Sequence, residues 1–260
     1  MELLICGSAA SEGIPALFCK CPICEKARCL KGKEVRSRTA YQLGERVRVD
    51  FGPDSLMHQF RYDLRYEKLR HLFITHSHRD HYYPVALGYR MAGFSHVDAD
   101  NIMNLYGNQT VLDMLNDTFK NLNTDFEKCR LNPIRLAAGK VVEMPDEKMT
   151  FLPIPAHHVP TEEAFIFAVK KEDTQILIGN DSGYFNENSW QMLGNFKFDV
   201  VILDDTGCGL DIGMDGGHLG GKFVIDTVNR MRKHGMANHE TVFVVNHFSH
   251  NGKMNHCDLE

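Results

Sequence analysis

The run Thr75-His76-Ser77-His78-Arg79-Asp80-His81 follows directly on the apolar stretch Leu72-Phe73-Ile74. A short apolar run that stops at a polar cluster reads as a buried strand ending in a turn. Three imidazoles and a carboxylate then have to share a small volume at the strand end. Neutral imidazole is a preferred ligand of zinc and similar ions, and a carboxylate among imidazoles admits a second, harder ion alongside. A lone His-x-His pair is common in surface loops, whereas the full pattern behind an apolar strand is much rarer by chance. Two close metals point to hydrolysis, because they make hydroxide at neutral pH and grip a reacting oxygen.

The 260 residues suit one large domain or two small ones and leave ample material for a buried core. A net charge of −5 supplies no general attraction to nucleic acid or to an anionic membrane. No stretch is apolar for long enough to span a bilayer, so no membrane partner is expected. The first residues start as a strand and lack the charged and cleavage regions of a signal peptide, which makes a cytoplasmic location the simplest expectation. There, eight cysteines stay reduced. Cys19, Cys21 and Cys24 crowd together in a way that favours a metal over disulfides.

The hydrophobic pattern predicts strands over 3–6, 41–43, 47–50, 71–74 and 102–106 in the first half. Further strands are expected over 149–154, 165–170, 175–179, 200–203 and 241–245. Helices are expected over 57–62, capped by Asp54, from Pro84 onward, over 109–116 and over 222–234. In the last of these Phe223, Val224, Val228 and Met231 share one face. No low-complexity linker interrupts the alternation, so a single domain over 1–260 with two similar halves is expected. Two sheets between helices, an α/β class, satisfy that pattern.

Three later strands also end in groups able to bind metal: Ile154 leads to His157 and His158, Ile178 to Asp181, and Val245 to His247. Each alone is a weak signal, since a strand-end aspartate is often only a turn residue. Together they fit one geometry, in which neighbouring strand ends gather their side chains at a common rim.

This set resembles the metallo-β-lactamase superfamily, whose signature is the run from His76 to His81. The resemblance implies an αββα four-layer sandwich with two divalent ions, zinc or manganese, at one edge. It assigns His76, His78 and His158 to one ion, Asp80, His81 and His247 to the other, and Asp181 to both. His158 is preferred to His157 because the family places a small residue, one variable position and then the ligand.

Cys19, Cys21 and Cys24 stand at CxCxxC spacing, and a tetrahedral structural zinc needs a fourth ligand. His250 is the natural candidate and Cys29 its competitor. The combination resembles the phosphoribosyl cyclic phosphodiesterases of the carbon–phosphorus lyase pathway, in which a three-cysteine-plus-histidine zinc accompanies the dinuclear centre. The segment 7–15 is similar in looser form.

By the same resemblance His218, in a glycine-rich stretch, is the substrate-facing histidine that protonates a departing alkoxide. Asp80 would also orient the hydroxide shared by the two ions. Asp204 and Asp205 are expected to support these groups by hydrogen bonds. Tyr82 and Tyr83 are expected to wall the pocket, and one of Asp50 and Asp54 to brace the histidine turn.

The expected activity is that of a dinuclear-metal phosphodiesterase acting on a small cyclic or nucleotide-like phosphodiester. A tRNA 3′-processing endonuclease is the alternative within the superfamily, but it needs a flexible basic arm that the chain lacks, and the acidic balance argues against nucleic acid. A thioester or lactone hydrolase has no use for the cysteine zinc. A non-enzymatic sensor is set aside by the completeness of the ligand set. Residues 93–131 lie outside the motif comparison and are assigned to a pocket wall or a homodimer contact.

Overall fold

The computed structural model describes residues 1–214 and 216–259. The chain forms two compact units, one from Met1–Gly7 with Arg38–Leu136 and the other from Ser8–Ser37 with Ala137–Glu260. Each carries one six-stranded sheet. The helices among the described residues are α1 (Pro22–Leu30), α2 (Ser55–Tyr62), α3 (Gln109–Asn121), α4 (Glu187–Leu193), α5 (Gly221–Lys233) and α6 (His256–Leu259). None is long and apolar enough to cross a membrane.

The sheet of the first unit runs β1 (Leu3–Gly7), β2 (Ala40–Leu43), β3 (Val47–Val49), β4 (His71–Phe73), β5 (Met103–Gly107) and β6 (Leu131–Arg135), in that order. β1, β2 and β3 pair antiparallel, and β3 to β6 pair parallel. Parallel neighbours require a crossover between them. Here α2, the 3-10 turn Pro84–Arg90 and α3 provide it. α3 lays Val111, Leu115 and Phe119, four residues apart, into a core with Leu72, Ile74 and Leu105. Each such side chain contributes about 1.5–3 kcal/mol on burial.

In the second unit β7 (Val142–Met144), β8 (Met149–Pro155), β9 (Phe165–Lys171) and β10 (Thr174–Gly179) form antiparallel pairs. β11 (Val200–Asp204) and β12 (Val242–Asn246) then continue the sheet in parallel, with α4 and α5 as crossovers. Leu177, Val201 and Leu203 pack with Trp190, Leu193 and Met231 from the helices. A smaller core of Ala9, Ile14, Ala27, Cys208 and Phe248 lies under the cysteine segment.

Two mixed sheets with their helices make the α/β class that the pattern implied. Several local expectations change. The segment from Pro84 is a 3-10 turn, not an α-helix, and Gly88 within it weakens a longer helical run. α3 runs on to Asn121, with the Asn108 side chain accepting the Val111 N–H at its start. β6 was not foreseen because Pro133 speaks against a strand. As the last strand of its sheet it leaves one side unpaired, where a missing N–H costs little. α1 begins at Pro22 with Cys21 as its cap residue, a helix hidden in sequence by the cysteines. Asp54 stands at the cap position of α2 but does not cap it. Its carboxylate accepts from the Arg38 backbone N–H and guanidinium at 2.8 and 2.9 Å.

Candidate metal centres

In the first unit the turn that follows β4 carries His76, His78, Asp80 and His81. The rings of His76 and His78 lie 4.4 Å apart between centroids, and those of His76 and His81 4.6 Å. His81 Nε2 is 3.1 Å from Asp80 Oδ2. Asp50, the residue after β3, braces the turn: its carboxylate accepts from Thr75 N and Oγ1 at 2.9 and 3.0 Å, and Oδ2 lies 2.7 Å from His81 Nδ1. A proton held on Nδ1 leaves the Nε2 lone pair for a metal. Of the two aspartates considered, Asp50 therefore supports the turn and Asp54 does not. Buried Arg48 locks Asp50 in turn, Nε donating to its carbonyl at 3.0 Å. Gly52 is obligatory here, because a Cβ would sit 1.9 Å from the Asp80 carbonyl oxygen.

The second unit assembles a set of its own because β10, β11 and β12 are parallel neighbours, so their final residues emerge side by side. β8 runs the same way as β10 and delivers His157 and His158 to that edge. His158 Nε2 lies 3.7 Å from Asp181 Oδ1, and His247 Nε2 lies 3.1 Å from Asp181 Oδ2. The two oxygens of Asp181 thus face two different imidazoles. His157 turns elsewhere, its Nδ1 bonded to the Tyr184 carbonyl. Asp50, Asp181 and His247 all have positive φ, at 64°, 49° and 66°. Such strain, about 1–3 kcal/mol per residue, collects at functional sites.

Each imidazole of this set is oriented through Nδ1: His158 by the Gly217 carbonyl at 3.0 Å and His247 by Thr206 Oγ1 at 2.8 Å. His218 Nδ1 donates to Asp204 Oδ2 at 3.0 Å. Burial opposes a charged His218, but Asp204 and then Asp181 outweigh it and raise its pKa. Asp204 also accepts the backbone N–H of Asp181, Thr206 and Leu219, which ties the loop after β10 to both ends of the loop between β11 and α5. Thr206, absent from the sequence reading, is the second hub, and a hydroxyl just past a strand-end aspartate pair was its only signal.

Asp205 does not share the support role expected of the pair; its Oδ1 is buried without a hydrogen-bond partner. Burial first, and then the charge of Asp204, push its carboxyl up to about 7. A raised carboxylate pKa means that the folded state holds the proton more tightly. The resulting stability is fully present below about pH 4 and is lost as pH rises toward 7. Asp205→Asn should flatten that decline and stabilise the protein by about 2 kcal/mol at pH 8. Circular-dichroism melts from pH 4 to 8 check this, and an unchanged slope would refute it.

A third cluster lies wholly in the second unit. Cys19, Cys21, Cys24 and His250 hold their ligand atoms within 4.8 Å of one another, whereas Cys29 is exposed on α1 outside the group. His250 Nδ1 is 3.3 Å from Cys21 Sγ and 3.7 Å from Cys19 Sγ. The Cys21 and Ala16 backbone N–H groups donate to Cys19 and Cys24 sulfur at 3.4 and 3.3 Å. Burial resists ionisation of Cys21, but hydrogen bonds from Cys24, Cys19 and His250 bring its thiol down to about 6. Donor atoms that share a tetrahedral zinc at its usual bond lengths lie roughly 3.3–3.8 Å apart. The spacing of His250 from Cys21 and Cys19, and of His158 from Asp181, falls in that range, while His247 at 3.1 Å from Asp181 lies slightly inside it.

The model of the beta-lactamase superfamily domain matches residues 45–244. The chain belongs to the metallo-β-lactamase superfamily. Among solved structures it is similar to a diphosphatase of the PhnP family, with a TM-score of 0.72 and 20% identity, over 96% of this chain and 86% of that one. It is similar to the metallo-β-lactamase fold protein YhfI from Bacillus subtilis, with a TM-score of 0.66 and 15% identity over 99% and 89% of the two chains. Human short-form tRNase Z aligns with a TM-score of 0.64 and 17% identity over 96% and 93%. No curated protein sequence matches the chain significantly. At these identities the likeness is one of fold. Superfamily membership and the histidine–aspartate sets together support a metal-dependent hydrolase.

Tyr82 and Tyr83 part company in the metallo-β-lactamase fold of this chain. Tyr82 is buried in the core of the first unit, while Tyr83 is 41% exposed and free to contact a ligand.

Proposed function

We propose that the chain hydrolyses small cyclic or nucleotide-like phosphodiesters with two divalent ions at the active site and one structural zinc. His76, His78 and His158 would hold one catalytic ion, Asp80, His81 and His247 the other, and Asp181 both. When bound, the ions supply Lewis-acid polarisation of phosphoryl oxygens and a nucleophile drawn from water at neutral pH.

The chain's own residues account for the remaining demands. Asp204 fixes the His218 ring through Nδ1, so that Nε2–H is the proton available to a departing alkoxide. Thr206 holds His247 in the tautomer that a metal ligand needs. Asp80 would orient the attacking water as well as bind metal.

The observation that carries the phosphodiester reading is the Cys19–Cys21–Cys24–His250 cluster. It matches the branch whose structural zinc accompanies phosphodiester cleavage, and a lactone or thioester hydrolase has no need of it. A second reading, cleavage of a diphosphate linkage, is favoured by the similar structure described as a PhnP-family diphosphatase. A substrate panel tests both. Nitrophenol release from bis-(p-nitrophenyl) phosphate, or turnover of a cyclic nucleotide, supports the first, and preference for a dinucleoside diphosphate supports the second. Activity confined to lactones, thioesters or pre-tRNA would overturn both.

A further inference from the structure

The first unit contains a cavity of about 440 Å³ between α2, the 3-10 turn Pro84–Arg90 and the segment that follows it. That volume lies within the range of about 300–1,000 Å³ typical of small-molecule sites. Phe51, Leu56, Tyr66, Leu69, Leu87 and Met103 contribute large apolar side chains to its wall. Within this apolar lining stand two polar groups with unmet demands.

The first is Arg90, which is only 9% exposed. Its Nε donates to the Cys129 carbonyl and its Nη2 to the Asn101 carbonyl, both at 3.0 Å. Both partners are neutral, and among the described residues no carboxylate pairs with the buried guanidinium. Burial, reinforced by Arg130 and Arg70 against the influence of Cys129, draws its pKa down to about 10. A buried charge without a counter-ion is costly, and a bound anion relieves that cost. The second group is Ser95, whose Oγ is buried and has no hydrogen-bond partner. The one acid in the lining, Glu67, is already paired with Arg65 at 2.6 Å.

We propose that this cavity binds a small amphipathic carboxylate, its chain or ring against Phe51, Leu87 and Met103 and its head group on Arg90 and Ser95. The site is separate in chemistry from the metal ligands. It shares a wall with the histidine turn through Phe51, Gly52 and Tyr83.

Isothermal titration of the metal-loaded protein with octanoate tests the assignment. Octanoate should bind about tenfold or more tightly than octylamine or octan-1-ol, the margin of a hydrogen bond to a charged group. Acetate, which has the head group without the chain, should not compete. Ala86→Phe, which fills the cavity from the 3-10 turn, should abolish binding. Arg90→Gln should erase the preference for octanoate over octanol, and because Arg90 also holds two carbonyls, the ligand series and Ala86→Phe stand as tests if that variant fails to fold. No octanoate binding, equal binding of the amine, or binding retained in Ala86→Phe would overturn the proposal. So would a dimer that closes the cavity mouth, detected by sedimentation and unaffected by octanoate.

Discussion

Asp181→Asn should lower kcat/KM for bis-(p-nitrophenyl) phosphate by more than about 100-fold, beyond the usual cost of losing a group that merely supports a metal ligand. The two oxygens of Asp181 face His158 and His247 separately, so on the proposed reading one substitution would weaken the hold on both ions. Asparagine is the informative replacement. It tolerates the left-handed backbone at this position, where φ is 49°, and keeps the side-chain volume while removing the charge. The folded spectrum should therefore persist while metal content falls, as read by elemental analysis. Alanine would add backbone strain to the loss of the ligand. Activity at the wild-type level in Asp181→Asn would remove Asp181 from the centre, and activity that survives Asp181→Ala with His78→Ala would sink the metallo-hydrolase reading.

Cys21→Ser should release about one equivalent of zinc and lower the melting temperature, because a structural zinc contributes directly to folding free energy. Cys21 stands at the start of α1, lies 3.3 Å from His250 Nδ1 and has the lowered thiol pKa of the set. The small core around Ala27, Cys208 and Phe248 buries few large apolar side chains and would gain from such a staple. Zinc content and thermal stability equal to wild type would show that the four side chains meet without a metal.

Much of the candidate chemistry was legible because it is local. His76 to His81 occupy a single turn, and a contiguous pattern needs no tertiary information to be read. Asp181 and His247 were legible for a related reason: an apolar strand that stops at a polar residue marks its own end. The hydrogen-bonding hubs were not legible. Asp204 and Asp205 are neighbours of identical type, yet one ties two loops and a histidine together while the other is buried without a partner at Oδ1. Alternation across a strand sends successive side chains to opposite faces, and only the assembled sheet says which face holds the site. Asp54 illustrates the converse, since a residue placed as a helix cap gave its carboxylate to Arg38.

The sequence by itself determined the α/β class, the histidine-rich turn, the candidate ligands at strand ends and the cysteine triplet. Each of these is written in short-range periodicity or close spacing. Only the tertiary structure decided that His158, not His157, faces Asp181, that Thr206 clamps His247, and that His250 completes the thiolate group. It alone revealed Arg90 in an apolar cavity with neutral partners. These facts depend on which distant segments become neighbours, a matter of strand order and crossover direction that no local pattern records.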